Sequence, residues 1–142
     1  MLADRWIRAG FLLIGGTTLV GPLVVSRGFT NRILFEAYPT VITPFVLLLL
    51  VFSGVAYVAV ASRFREHRAL VGLFAVVKLL FAGTWIAWGL GGNASLADLF
   101  AKDSFAGLFF ASYGVLDLAC ALFFLWVTIS LKSPAGTAVQ DG

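Results

Sequence analysis

Charge is what this sequence has least of. Only 12% of its 142 residues are Asp, Glu, Lys or Arg, while 61% are hydrophobic; a soluble domain is roughly a quarter charged and about half apolar. That balance excludes a water-soluble fold. The single cysteine, Cys120, lies inside an apolar run, which rules out an intramolecular disulfide and disfavours a metal–thiolate cluster. The single histidine, His67, falls in a charged loop, whereas a His-ligated haem needs its nitrogen ligand at membrane depth. No Ser-His-Asp set, HExxH, CxxC or P-loop occurs, so hydrolytic, metal and nucleotide chemistry have no carrier. No catalytic or metal-binding residue and no cofactor is expected on these grounds.

The net charge of +3 does not point to nucleic acid. Its basic residues stand in short clusters between apolar runs, where membrane topology and lipid headgroups account for them. At about 20 residues per transmembrane helix, the apolar runs give four spans, at about 6–25, 41–61, 69–90 and 106–131. The expected fold is therefore all-α, a membrane-embedded bundle of four helices forming one domain over 1–132, with 133–142 as a flexible tail.

Several features mark the boundaries. The first run follows a lead with Arg5, Trp6 and Arg8 and is broken by Gly15, Gly16, Gly21 and Pro22; it reads as a retained span rather than a signal sequence. Residues 26–40 mix Arg27, Arg32, Glu36 and Tyr38 with Phe29, Ile33, Leu34 and Phe35, which suits a short interfacial helix around 29–36. Pro44 falls in the first turn of the second span, where its missing N–H costs least. Arg63, Arg65 and Arg68 crowd a short polar loop that the positive-inside rule places in the cytoplasm. Gly91-Gly92-Asn93 stops the third span, and 93–105, with Asp98, Lys102 and Asp103, reads as a net acidic outer loop. Outside the spans, Arg5, Arg8, Arg63, Arg65, Arg68 and Lys132 then lie inside, against Arg27, Arg32 and Lys102 outside, with both termini in. Trp6, Tyr38, Trp85, Trp88 and Trp126 sit near span ends, as an aromatic belt places them.

Within the apolar runs only Lys78 and Asp117 are ionised at neutral pH. An unpaired charge in hydrocarbon costs at least about 2.5–3.5 kcal/mol, so such residues face the bundle interior and pair. Their helix faces agree: Val71, Ala75, Lys78, Ala82, Trp85 and Gly89 share one stripe, and Tyr113, Gly114, Asp117, Cys120, Ala121 and Phe124 another. Small residues beside both charges allow close approach, and Tyr113 is placed one turn from Asp117 to hydrogen-bond its carboxylate. Thr17, Thr18, Ser53 and Tyr57 are the other polar groups expected to face inward. The pair is read in three ways: a lock fixing helix register; the wall of a small polar cavity for an anionic headgroup, a quinone-like carbonyl or a relayed proton; or a contact with another subunit's helix. The glycines of the first run and the phenylalanines at 109, 110, 123 and 124 read as packing residues.

Lys78-Leu79-Leu80-Phe81 with Trp85 and Trp88, and Tyr113-Gly114-Val115-Leu116-Asp117 followed by Leu122-Phe123-Phe124-Leu125-Trp126, resemble a group of small bacterial four-helix membrane proteins, the DoxX-like proteins. The resemblance implies a bundle of the bacterial inner membrane. Some DoxX-like proteins are subunits of quinone-linked oxidoreductases; this chain has no redox-centre ligand set, so the implied role is an accessory one. The expected function is thus a non-enzymatic subunit that packs against the bilayer and against other membrane subunits or itself, with Lys78 and Asp117 as its clamp. A homo-oligomeric solute or proton-coupled transporter is the alternative, and an enzyme or binder acting on a lipid or quinone the third reading.

Overall fold

The computed structural model describes residues 2–92 and 95–131; Asn93, Lys132 and the tail expected at 133–142 lie outside the described residues. Six helices and no strands occur among them: α1 (Leu2–Val25), α2 (Arg32–Ala37), α3 (Pro44–Val60), α4 (Arg68–Leu90), α5 (Leu96–Lys102) and α6 (Ser104–Ser130). The stretches Ala3–Val25, Arg68–Leu90 and Ser104–Ser130 are long and apolar enough to cross a membrane. The remaining apolar helix, α3, has 17 residues, a length of roughly 26 Å at 1.5 Å per residue, against a hydrocarbon thickness of about 30 Å.

Local chemistry explains where these boundaries depart from the expected ones. Helix α3 begins at Pro44 rather than at 41 because Thr43 caps it, its hydroxyl accepting the Val46 N–H at 3.2 Å, while proline takes the first helical position. The short helix expected around 29–36 lies at Arg32–Ala37, started by Asn31, whose side chain accepts the Leu34 N–H. Helix α1 reaches back to Leu2; Asp4 stands in its first turn, where a carboxylate complements the helix dipole, and meets Arg65 at 2.5 Å. Helix α5 replaces what reads as loop. Ser95 caps it by accepting the Asp98 N–H at 3.1 Å, a capping pattern visible as Ser95-x-x-Asp98, and its Leu99 is buried.

The long helices pack as two pairs, α1 on α3 and α4 on α6. In the first pair backbone meets backbone: a Cβ on Gly54 would stand 2.7 Å from both the Gly15 carbonyl oxygen and the Leu19 nitrogen. In the second, Gly114 of α6 lies under the Trp85 indole of α4, and Gly107 of α6 likewise lies under the Phe100 ring of α5, so small residues on α6 receive large ones. Two apolar clusters join the pairs. At the end carrying Arg63, Arg65 and Arg68, here the basic end, Phe11, Tyr57, Phe74 and Phe124 pack with ring centroids 4.6–5.6 Å apart. Phe64 drops from the charged loop onto Phe11 and is buried. At the opposite end Leu34, Leu47, Leu50, Trp88, Leu99 and Phe110 form the other cluster.

Trp6 and Trp126 project outward, 74% and 53% exposed. Trp85 and Trp88 do not form the outward belt expected of them. Their indole N–H groups turn inward to the carbonyls of Phe110, at 2.7 Å, and Ala37, at 3.3 Å, because a donor removed from water must find an acceptor.

The α1–α3 contact generates a direct expectation. Gly54→Val should lower stability by about 1–3 kcal/mol, the usual cost of forcing atoms into a filled contact. Gly83→Ala, where no atom lies within 4 Å of the new methyl, should leave the melting temperature in detergent unchanged or slightly raised. Equal melting of the two variants would show that the glycine contact does not set the helix spacing.

Candidate functional site

Ten residues separate Arg68 from Lys78 and thirteen separate Asp117 from either end of α6, so both charges fall near the middle of their helices. The structure brings them together: Lys78 Nζ donates to Asp117 Oδ1 at 2.6 Å. Both residues are buried, at 3% and 8% exposure, and the Tyr57 ring centroid lies 5.8 Å from the ammonium. The pair forms a polar layer between the two apolar clusters. Ala75 and Ala82 on α4 and Gly114 and Ala121 on α6, all buried, leave room for the close approach that this short contact needs.

The pair also lines a cavity of about 260 Å³ between α1 and α6. Lys78, Asp117, Leu50 and Tyr113 form its buried floor; Thr17, Leu108 and Leu116, all exposed, stand at its mouth. The mouth residues run along the two helices, from Leu108 one turn into α6 to Leu116 at its middle with Thr17 of α1 facing them, so the cleft opens on the side of the bundle. Thr18, Ser112, Phe81, Phe109 and Cys120 complete most of the wall.

The helices flanking the cleft are tied together at both of its ends. Towards the basic end, the Phe123 ring of α6 fills the space beside Gly10 of α1, where a Cβ would stand 2.5 Å from the ring. At the other end Asp103, 6% exposed, gathers three partners. Its Oδ1 accepts the Ala106 N–H at 2.7 Å, capping α6, and the Asn31 amide at 3.1 Å; its Oδ2 accepts from Arg27 at 2.6 Å. Arg27 sits just past α1 with φ +50°, the left-handed position of a Schellman-type end in which Gly28 N–H reaches the Leu23 carbonyl and Arg27 N–H that of Val24. A residue other than glycine is strained there, and the ion pair to Asp103 with the guanidinium 5.3 Å from the Phe105 ring holds it in place.

The expected site residues are thus distributed. Lys78, Asp117 and Tyr113 meet at the cleft. Trp85 does not line it; its indole packs on Gly114. Tyr113 does not hydrogen-bond Asp117. Its ring stacks on Phe109 at 4.7 Å and 19°, and its buried hydroxyl has no partner among the described residues. Of the polar groups expected inside, Thr18 and Tyr57 are buried, Ser53 is half-buried and Thr17 is exposed. Arg65 pairs with Asp4, Arg68 Nε donates to the Thr128 carbonyl at 2.9 Å, and Arg63 is exposed. Asp103, Asn31 and Ser112 escaped the sequence reading: the first two look like ordinary loop polars until α2 and α6 come together. Among the described residues no group of three or more His, Cys, Asp or Glu side chains is placed to hold a metal ion. Comparison of the chain with protein families, curated proteins and solved structures returns no match.

Two outcomes are expected from these contacts. Asp117→Asn should destabilise by about 3–5 kcal/mol by leaving a buried ammonium without its counter-charge, whereas Lys78→Met/Asp117→Leu should recover most of the loss; thermal melts of the three proteins decide this, and an Asp117→Asn protein that melts with the parent would refute the lock. Burial pushes the Asp103 carboxyl up, but the Ala106 N–H, the Asn31 amide and the Arg27 guanidinium outweigh it and hold the group below its ordinary value. Its contribution is therefore present above the unfolded-state value, near pH 4, and is lost as pH falls through the lower folded value. The stability gap between the parent and Asp103→Asn, about 1–2 kcal/mol at pH 7 with Arg27 half exposed, should narrow as pH falls below about 4 and close once the folded protein's carboxyl is protonated. A gap that is independent of pH would place the effect elsewhere.

Proposed function

We propose that this chain is a non-enzymatic, multi-pass protein of a bacterial inner membrane, a small accessory subunit that holds a membrane-dissolved molecule in the cleft between α1 and α6. The observation that carries this reading is the placement of a charged pair with unused hydrogen-bonding capacity on the floor of a cavity that opens sideways, towards the hydrocarbon in which such a molecule is dissolved. A lysine ammonium has three donors, and Lys78 spends one on Asp117; a buried pair serving only as a lock repays its desolvation when the protein itself satisfies the remaining protons and lone pairs.

Four crossings are part of the proposal. The apolar stretch around α3 reaches membrane length when the flanking residues from 41 to 61 are included, and the short α2 and α5 lie together at the end opposite the arginine loop. Arg5, Arg8, Arg63, Arg65 and Arg68 gather at the basic end and Arg27, Arg32 and Lys102 at the other, which by the positive-inside rule supports cytoplasmic termini. The DoxX-like resemblance of α4 and α6 supports the same membrane and an accessory role. A transport path finds less support: apolar clusters stand on both sides of the pair along the bundle axis.

The test is purification of the full chain from its native membrane in mild detergent, with mass spectrometry of the lipids and subunits that accompany it. The parent should retain a small amphiphile at near one per chain, and Ser112→Trp, which fills the cleft, should lose it while melting normally. A parent that carries nothing beyond bulk lipid, with the variant identical to it, would end the binding reading.

A further inference from the structure

The cleft's own chemistry narrows its occupant. The Lys78–Asp117 pair is already neutral, so an occupant with a net charge would leave an uncompensated charge at mid-height of the bundle. On transfer scales that is a disadvantage on the order of 100-fold. Phosphate and carboxylate heads are excluded by this argument, and so are free amines.

The remaining question is whether a neutral head must donate or accept. Asp117 uses Oδ1 on Lys78, while Oδ2 has no partner among the described residues and is not one of the fully enclosed unpaired atoms, which are the hydroxyls of Tyr57 and Tyr113. The second carboxylate oxygen therefore reaches open space in the cleft that Asp117 lines. Thr17 and Ser112 each donate their hydroxyl proton to a carbonyl of their own helix, at 2.9 Å and 2.8 Å, and so present only lone pairs to an occupant. Thr18, also in the wall and 8% exposed, places a hydroxyl there that is not one of the fully enclosed unpaired atoms. The wall thus presents both kinds of group: the two remaining Lys78 N–H bonds and the Thr18 hydroxyl can donate, while Asp117 Oδ2 and the lone pairs of Thr17 and Ser112 accept, the anionic oxygen being the strongest acceptor. A head that only accepts, such as an ester or ketone, leaves Asp117 Oδ2 unanswered.

Resting on the binding reading above, we propose that the cleft takes the hydroxyl-bearing head of an uncharged lipid, of the long-chain alcohol or diacylglycerol type, with the hydroxyl donating to Asp117 Oδ2 and accepting from the Thr18 hydroxyl. The cavity, about 260 Å³, is at the small end of ligand pockets, which run about 300–1,000 Å³. It accommodates a head and the first carbons of a tail between Phe81 and Phe109, and the rest of the tail leaves past Leu108 and Leu116 into the bilayer.

The experiment uses the purified full chain in phosphatidylcholine nanodiscs, photolabelled with a diazirine-bearing diacylglycerol and competed with dioleoylglycerol, dioleoyl phosphatidic acid or trioleoylglycerol. These competitors differ in carrying a free hydroxyl, an anionic head, or neither. Label is expected on α1 and α6 beside the cleft, displaced at least tenfold better by dioleoylglycerol than by the other two. Thr18→Val/Ser112→Ala, which keeps the ion pair, should weaken labelling about fivefold, as loss of one modest hydrogen bond does, while melting with the parent. Equal displacement by phosphatidic acid or by trioleoylglycerol would overturn the neutral-hydroxyl assignment and leave amphiphile binding standing. Label spread evenly over the exposed faces of the helices, and unchanged in Ser112→Trp, would overturn both.

Discussion

A lysine and an aspartate at mid-height of two apolar helices are tolerable only if they find each other, and most of the bundle's detail follows from that constraint. Removing either charge from water alone is expensive; removing both into one hydrogen bond of 2.6 Å returns much of the cost only when the geometry is close. Close geometry demands that α4 and α6 approach at that level, and alanine and glycine above and below the charges permit it. Register is fixed as well. A slip of either helix by one residue would swing its charge by about 100° around the axis, away from its partner.

The three seams of the bundle differ in what holds them. Between α1 and α3 it is backbone contact through Gly15 and Gly54, and between α4 and α6 it is small-residue packing plus the ion pair. Between α1 and α6 there is neither along the middle of the helices. That seam is pinned by Phe123 on Gly10 near the basic end and by the Asp103 hub at the other, and it opens between them. The cleft is thus a consequence of joining two well-packed pairs at their ends. It runs from the charged pair towards the Asp103 hub, because the aromatic cluster of Phe11, Tyr57, Phe74 and Phe124 fills the bundle on the basic side of the pair.

Asp103 shows how one carboxylate coordinates several elements. It caps α6, holds the cap of α2 through Asn31, and neutralises an arginine that the end of α1 places in a strained conformation. Each of these groups would be exposed or unsatisfied in an isolated helix. Meeting in one place, they satisfy one another and join the two helices that border the cleft. The polar chemistry at mid-height and at this end therefore serves the same geometry, one by fixing α4 against α6 and the other by fixing α6 against α1.

Composition and periodicity by themselves determined the helical class, the approximate position of each apolar run, the turn of charged residues between the second and third, and the two ionised residues that hydrocarbon would force to pair. These rest on local rules: hydrophobic length, helical spacing and the cost of a lone charge. Tertiary structure decided the rest. Helix α5 read as an outer loop, since its stability depends on burying Leu99, which only the packed bundle provides. Tyr113 was aimed correctly at the right helix face but held by Phe109 rather than by Asp117, because one turn of spacing brings side chains near without choosing which contact wins. Trp85 and Trp88, aromatic residues near a helix end, turned inward because carbonyls at Phe110 and Ala37 were there to receive them. The cleft itself left no mark in the sequence: it is a space between α1 and α6, and a gap between helices far apart in the chain is set by how their other faces pack.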